Sequence, residues 1–253
     1  MDLNVGLLNS FCPKDYLLLV YFICLIALSA VAYFLGSINS AIIISKTLYR
    51  EDVRTKGSGN AGMTNMLRSY GGKAALLTLV GDLMKTVLPV FLAGLVFGFR
   101  YNMGVSFCGE MYFVGLFTVI GHIFPAYYGF KGGKGVLSTA SMALVASPLP
   151  FAILFLLFVL IVAWSKYVSL GSVLVAVLYP VILNGFFALF KDAEGNPVPL
   201  PPLAAIATIF LAILIFWAHR KNLERIGNRT ENKLSFGKKK KTADEEGSDS
   251  EGA

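Results

Sequence analysis

The residues best suited to chemistry lie in a glycine-rich stretch with two lysines, GHIFPAYYGFKGGKG, at residues 121–135. Glycines let successive backbone N–H groups converge on one point, and Lys131 and Lys134 add two positive charges, which is typical of a phosphate site. The stretch is not a Walker A loop, because Tyr128 and Gly135 stand where that motif needs glycine and Ser or Thr. Taken alone, it is also compatible with a basic surface turn between two spans.

Two further polar stretches carry similar chemistry. Residues 50–72 read REDVRTKGSGNAGMTNMLRSYGG and combine glycines with basic side chains. The other stretch begins after a long apolar run, and a helix there would place His219, Asn222 and Arg225 along one face, since they recur every three residues. The chain therefore has three separate clusters suited to holding anions.

Three ionisable residues lie within or at the end of apolar runs. Asp82 and Lys85 belong to the run 73–99 and are three residues apart, hence on one helical face. Charged side chains in a span face the interior of a helix bundle, so we expect these two to pair there, either for stability alone or in support of a site. His122 is expected to cap its span or to steady the glycine-rich stretch through a hydrogen bond.

The composition indicates where these clusters reside. Of the 253 residues, 56% are hydrophobic and only 15% are charged, and the mean hydropathy is +0.67, which predicts a polytopic membrane protein. The net charge of +7 is typical of cytoplasmic loops that meet anionic headgroups, and no nucleic-acid partner is predicted. The three cysteines lack CxxC spacing, which argues against a disulfide framework or a metal site.

Apolar runs long enough to cross a bilayer position the clusters. The first run is residues 16–36, and its helix is expected to continue to Lys46. Residues 136–165 allow two interpretations, two spans or one broken span, because Pro148 and Pro150 interrupt the run.

The distribution of basic residues favours two spans in that segment. The total is then seven, and only Lys14, Arg100 and Lys191 of the 22 Lys and Arg lie outside. We therefore expect an all-α integral membrane protein of about seven transmembrane helices, with the N-terminus outside and the C-terminus cytoplasmic.

A single membrane domain with a polar tail is the expected domain organisation. Residues 1–234 would form the membrane domain. Residues 235–253 contain four consecutive lysines, Lys238–Lys241, followed by acidic residues, and their low hydrophobicity predicts a disordered cytoplasmic tail. The lysines are expected to contact anionic lipid.

The three clusters, in this order and with apolar runs of this length between them, resemble the three motifs of the bacterial acyl-phosphate:glycerol-3-phosphate acyltransferases, the PlsY family. The matching stretches are GSGNAGMTNMLRSYG (57–71), GHIFPAYYGFKGGKG (121–135) and HRKNLER (219–225). The resemblance implies a small seven-helix enzyme of the cell membrane with its active site on the cytoplasmic face. It also implies transfer of a fatty acyl group from acyl phosphate to the 1-hydroxyl of glycerol 3-phosphate, giving lysophosphatidic acid for phospholipid biosynthesis.

This resemblance divides the expected site residues into two groups. Catalytic roles are expected for Ser58, Lys131, His219 and Asn222. Substrate phosphate is expected to bind Asn60, Thr64, Asn65, Arg68, Gly132, Gly133, Lys134, Gly135 and Arg225.

The same resemblance implies a mechanism without a covalent intermediate. An acyl phosphate already carries a good leaving group, so direct attack by the hydroxyl suffices and no serine or cysteine nucleophile is needed. Two bases remain open, His219 and a phosphate of a substrate. No cofactor and no metal are expected.

The expected partners are acyl phosphate, glycerol 3-phosphate and membrane lipids, and one chain is expected to function as a monomer. A transporter or channel for organic phosphates is the alternative, since basic glycine loops between spans also line pathways. Transporters usually carry inverted repeats with polar residues at mid-membrane in corresponding halves, and the sequence shows neither. A membrane scaffold with basic, lipid-binding loops is a further alternative, but it would not need the clustered Asn60, Thr64, Asn65 and Asn222.

Overall fold

The computed structural model describes residues 7–102, 104–191 and 195–234. Within these ranges the backbone is mostly α-helical, which confirms the predicted class. The helices are α1 (Leu8–Phe11), α2 (Leu17–Ser37), α3 (Ser40–Leu48), α4 (Met63–Tyr70), α5 (Gly72–Phe97), α6 (Gly109–Ile123), α7 (Val136–Ala146), α8 (Pro148–Ser165), α9 (Val168–Ala188), α10 (Pro202–Ala218) and α11 (Arg220–Gly227). A small antiparallel hairpin of β1 (Tyr101–Asn102) and β2 (Val105–Ser106) follows α5. The tail predicted to be disordered, 235–253, lies outside the described residues.

Five stretches of the described chain are long and apolar enough to cross a membrane. They are Leu17–Leu48, Gly72–Phe97, Gly109–Tyr128, Pro148–Ser165 and Val168–Ala188. Helices α10 and α11 meet at a bend of 54° and add a sixth if they count as one span, whereas α7 has only 11 residues. These lengths are those of a polytopic membrane protein. The count of seven transmembrane helices stays a prediction, because it requires both α7 and α10 to cross the membrane.

The helix that begins at Leu17 is interrupted, contrary to the expectation that it continues to Lys46. Helix α2 ends at Ser37, and the Asn39 side chain then caps α3 by accepting a hydrogen bond from the Ile42 N–H at 3.0 Å. Asparagine is favoured at this position because the first N–H groups of a helix lack partners within it. The interruption leaves the Ile38 carbonyl able to accept a hydrogen bond from a side chain.

The interruption predicted at the two prolines separates α7 from α8. Ser147 alone lies between the two helices, and Pro148 is the first residue of α8, where its missing N–H removes no helical hydrogen bond. The Ser147 Oγ lies 2.7 Å from the Tyr179 Oη, which ties this corner to α9.

Helix α6 lies at the centre of the bundle, where it packs against α2, α5, α7 and α10. Helices α2 and α6 approach closely because a Cβ on Gly36 would overlap the Thr118 carbonyl, and one on Gly121 would overlap the Tyr33 carbonyl. Small residues permit such backbone contact between membrane helices. The contact places the end of α6, where the glycine-rich stretch begins, beside the end of α2.

Candidate active site

A cavity of about 950 Å³ lies where the three polar clusters meet. One part of its wall carries polar and basic side chains from all three clusters. The other part is apolar, follows α7, α8 and α9, and is lined by residues that include Ala140, Ala143, Leu154, Phe155, Phe158 and Tyr179. One space of a size typical for small-molecule sites thus joins a basic region to an apolar slot.

Ten of the thirteen expected site residues line this cavity. They are Ser58, Asn60, Thr64, Asn65, Arg68, Lys134, Gly135, His219, Asn222 and Arg225. Lys131, Gly132 and Gly133 are not part of the lining, and Lys131 is exposed. The structure therefore brings the three clusters together but leaves the middle of the glycine-rich stretch outside the cavity wall.

Gly132 and Gly133 pack closely against α6 instead of forming an amide cradle. The Gly132 N–H donates to the Ile123 carbonyl at 3.2 Å, and the Gly133 N–H donates to the His122 carbonyl at 3.0 Å. Neither amide is free for an anion, which corrects that part of the expectation. A Cβ on Gly132 would overlap the His122 carbonyl, and one on Gly133 would overlap the imidazole. His122 does steady the stretch through a hydrogen bond, which its backbone carbonyl accepts.

Amides suited to an anion lie instead at the start of α7. Gly135 precedes this helix with a φ of 78°, a left-handed conformation that favours glycine, and no side chain caps the helix. The N–H groups in the first turn of a helix have no partners within it and lie at the positive end of the helix dipole. Gly135, Val136 and Leu137 line the cavity, so this positive end adjoins the Lys134 side chain.

Lys134 belongs to a hydrogen-bond network that connects the glycine-rich stretch to α9 and α11. Its Nζ donates to the Asn222 Oδ1 at 2.6 Å. The Asn222 Nδ2 donates to the Ser169 Oγ at 3.0 Å and to the Glu231 Oε1 at 2.6 Å. The Arg225 Nε donates to the Glu231 Oε2 at 2.7 Å. The orientation of Lys134 is therefore set by a chain of polar side chains that ends at a carboxylate.

Two groups in this network have shifted pKa values. Burial lowers the pKa of Lys134 to about 8, and Glu231 counteracts this shift while Arg225 and Arg68 add to it. Burial also opposes ionisation of Glu231, but hydrogen bonds from Ser169, Asn222 and Arg225 outweigh it and hold the pKa of that carboxyl below its ordinary value. The site thus holds a lysine with a pKa of about 8 beside a glutamate whose ionised form is favoured.

Sequence reasoning missed Ser169 and Glu231 as site residues. Besides its bond to Asn222, Glu231 accepts a hydrogen bond from the Ser169 Oγ at 2.6 Å. Glu231 follows the end of α11 at Gly227, so helical periodicity does not relate it to Asn222. The available signal was its acidic side chain six residues beyond Arg225, next to a basic cluster.

His219 is held in one orientation at the junction of α10 and α11. It is 2% exposed, and its Nδ1 lies 2.8 Å from the Ile215 carbonyl oxygen. A carbonyl only accepts hydrogen bonds, so Nδ1 carries the proton of the neutral ring and Nε2 is left as an acceptor. Because His219 lines the cavity, its ring is suited to accept a hydrogen bond from a substrate hydroxyl.

Asn65, expected to bind phosphate, instead holds its own loop together. Its Oδ1 accepts from the Ser58 N–H at 2.9 Å, and its Nδ2 donates to the carbonyls of Val53 and Lys56 at 3.1 and 3.0 Å. Its side chain is 1% exposed. Asn65 therefore shapes the loop that brings Ser58 to the cavity.

Comparison with known proteins identifies the family. The sequence profile of the family named glycerol-3-phosphate acyltransferase matches residues 26–229. The chain belongs to this family. A glycerol-3-phosphate acyltransferase of Finegoldia magna is 39% identical over 213 residues, which cover 84% of this chain and 98% of that protein. The enzyme of the same name from Clostridioides difficile is 36% identical over 209 residues, which cover 83% and 95%.

Solved structures of the acyltransferase family have the same fold. The crystal structure of PlsY (YgiH), an integral membrane glycerol 3-phosphate acyltransferase, in its glycerol 3-phosphate form superposes with a TM-score of 0.71 at 32% identity, covering 84% of this chain and 96% of PlsY. The lysophosphatidic acid form gives 0.69 at 30% identity. The resemblance inferred from the three clusters is confirmed, and the chain is an integral membrane acyltransferase.

Proposed function

We propose that this acyltransferase moves a fatty acyl group from an acyl phosphate to the 1-hydroxyl of glycerol 3-phosphate, forming lysophosphatidic acid and phosphate. The main support for this reaction is that one cavity contains both a basic region and an apolar slot. Lysophosphatidic acid has the same two parts, an anionic headgroup and an alkyl chain. PlsY has been solved in glycerol 3-phosphate and lysophosphatidic acid forms, which supports this acceptor and product.

An acyl phosphate donor suits the side chains around the cavity. In the described part of the chain, the two histidines bond to the Ile215 carbonyl and to Lys85, and neither imidazole bonds to a serine or cysteine side chain that it could activate. Direct attack on an acyl phosphate needs no such nucleophile, because phosphate is already a good leaving group. The protein then contributes orientation and electrostatic stabilisation.

The polar residues divide between the two substrates. We assign Lys134, Arg68 and Arg225, with the first-turn amides of α7, to the substrate phosphates, because charge-assisted hydrogen bonds are the strongest available to an anion. The His219 Nε2 is assigned to the 1-hydroxyl, which it orients for attack. Lys131, expected to be catalytic, lies outside the cavity lining. We therefore assign it only the attraction of anionic substrates toward the cavity.

The remaining expected residues support these contacts. Asn222 holds Lys134, and Ser58, Asn60 and Thr64 supply hydrogen-bond donors along the polar wall. The apolar slot along α7, α8 and α9 is assigned to the acyl chain. Tyr179, fixed by its hydrogen bond with Ser147, forms part of the slot far from Ser169 on the same helix, about 15 Å along its axis at 1.5 Å per residue.

We propose seven crossings with the N-terminus outside, the C-terminus cytoplasmic and the active site on the cytoplasmic face of the cell membrane. The polar part of the cavity lies near the end of α6, the starts of α7 and α9, and the end of α10. If successive spans cross the membrane in alternating directions, these four helix ends are on the same side. The basic residues of the three clusters favour the cytoplasm for that side. A monomer is proposed to be functional, since the two regions of the cavity come from one chain.

The test is product formation by the purified protein in detergent or lipid. Glycerol 3-phosphate is supplied with palmitoyl phosphate, and palmitoyl-CoA serves as a parallel donor. Lysophosphatidate is expected from the acyl phosphate and little or none from the thioester. Product from palmitoyl-CoA alone would overturn the donor assignment, and no product from either donor would overturn the proposed function.

A further inference from the structure

A cluster of three buried ionisable residues lies against the site without having a role in the reaction just described. Asp82 and Lys85 on α5 and His122 on α6 are 1%, 7% and 4% exposed. Ionisable residues inside membrane proteins are energetically expensive and usually serve function. Asp82 and His122 also line the cavity, so the cluster extends to its wall.

The Lys85 ammonium group connects three different parts of the fold. Its Nζ lies 2.8 Å from the Asp82 Oδ1, 2.9 Å from the Ile38 carbonyl oxygen and 2.9 Å from the His122 Nδ1. An ammonium group donates hydrogen bonds and accepts none. The His122 Nδ1 must therefore accept, which fixes the tautomer with the proton on Nε2. The predicted pairing of Asp82 with Lys85 is confirmed, and it also orients an imidazole.

The oriented His122 side chain supports the glycine-rich stretch next to Lys134. The Gly133 N–H bonds to the His122 carbonyl, and a Cβ on Gly133 would overlap the His122 imidazole. The same Cβ would come within 2.8 Å of the Ala61 carbonyl oxygen, which accepts from the Asn39 Nδ2 at 3.3 Å. Gly133 is thus enclosed by the His122 imidazole on one side and the Ala61 carbonyl on the other. The buried cluster orients the imidazole, and Asn39, at the break between α2 and α3, bonds to the carbonyl.

We infer that Asp82, Lys85 and His122 are positioning residues that hold Gly133, and with it Lys134, in the orientation needed to bind substrate phosphate. This rests on the proposed role of Lys134 as a phosphate ligand. Apolar packing would fill the same volume, whereas Lys85, held by its ion pair with Asp82 and its bond to the Ile38 carbonyl, makes a directed hydrogen bond to the imidazole ring. A small rotation of that ring would displace the backbone one residue before Lys134, because Gly133 contacts it without an intervening side chain.

A double-mutant cycle on the full-length protein separates positioning from general stability. His122→Asn keeps an acceptor near the position of Nδ1 but removes the ring under Gly133. Lys134→Met removes the proposed phosphate ligand. The dissociation constants of glycerol 3-phosphate and of inorganic phosphate are measured directly for the wild type, both single variants and the double variant, so the cycle does not depend on turnover.

The expected result is strong coupling between the two sites. His122→Asn should weaken binding of at least one ligand about tenfold, and in the Lys134→Met background the same change should weaken it less than about twofold. Equal effects in both backgrounds would overturn the inference, as would wild-type affinity in His122→Asn.

A second variant and a control protect the test against misfolding. Asp82→Asn combined with Lys85→Met removes both charges together, so no unpaired charge is left buried, and it should show the same coupling to Lys134. Thr78→Val on the same helix should leave binding unchanged, because Thr78 is buried and its hydroxyl donates to the Ala74 carbonyl of its own helix. If the wild type binds glycerol 3-phosphate but makes no lysophosphatidate, the proposed function is refuted. The double-mutant cycle would still test the positioning role, because it measures binding and not turnover.

Discussion

Lys134 and Lys131 are two lysines three residues apart in one glycine-rich stretch, yet the structure gives them different surroundings. Lys134 lines the cavity and bonds to Asn222 at 2.6 Å, whereas Lys131 is exposed outside the lining. Lys134→Met should lower kcat/KM about ten- to a hundredfold, because hydrogen bonds to charged groups contribute about 1.5–3 kcal/mol. Lys131→Met should lower it less than about threefold, and more at low salt than at high salt. Equal losses in the two variants would contradict the assignment.

The lowered pKa of Lys134 predicts a pH dependence. With a pKa of about 8, the free ammonium loses its proton as pH rises through that value, so phosphate binding weakens above it. Glycerol 3-phosphate is already a dianion there, since the second pKa of a phosphate ester is about 6. The profile of kcat/KM should therefore fall on its alkaline side. Lys134→Arg should shift this fall to higher pH, because arginine stays protonated. An unchanged profile in that variant would show that another group titrates.

The apolar slot along α7, α8 and α9 predicts selectivity for the length of the donor's acyl chain. Ala143 on α7 lines the slot seven residues beyond Val136, about 10 Å along the helix at 1.5 Å per residue. Ala143→Leu should fill space needed by the far part of a long chain. We expect kcat/KM to fall severalfold more for palmitoyl phosphate than for octanoyl phosphate, and the ratio within one variant controls for overpacking. An unchanged ratio would place the chain elsewhere.

Helix periodicity and residue type predicted those parts of the site that lie within helices. Asp82 and Lys85 pair because three residues separate them on one helical face, and His219, Asn222 and Arg225 all reach the cavity. The role of the glycines in the glycine-rich stretch could not be predicted, because glycine permits both free backbone amides and close helix packing. At Gly132 and Gly133 the structure uses the close packing.

Other features depend on backbone turns that periodicity does not describe. The bond from Asn222 to Glu231 forms because the chain turns back after α11 ends at Gly227. The acceptor for Lys85 at Ile38 exists because Asn39 caps a new helix where continuous helix was expected. Each is a tertiary contact between segments whose local sequence does not specify their approach.

The proposed topology predicts which residues are accessible from each side of the membrane. Asn196 and Lys131 are both exposed, and the seven-span arrangement places them on opposite faces. A reporter at Asn196 should be labelled in intact cells by an impermeant reagent. One at Lys131 should be labelled only after permeabilisation. Labelling of both sites in intact cells, or of neither, would contradict the orientation.

Both substrates are proposed to occupy one cavity together, with the acyl group passing directly between them. Initial rates measured while palmitoyl phosphate and glycerol 3-phosphate are varied against each other distinguish this from a covalent route. Direct transfer predicts intersecting reciprocal plots and no burst of phosphate when glycerol 3-phosphate is withheld. Parallel plots, with a burst of phosphate equal to the amount of enzyme, would reveal an acyl-enzyme and contradict direct transfer.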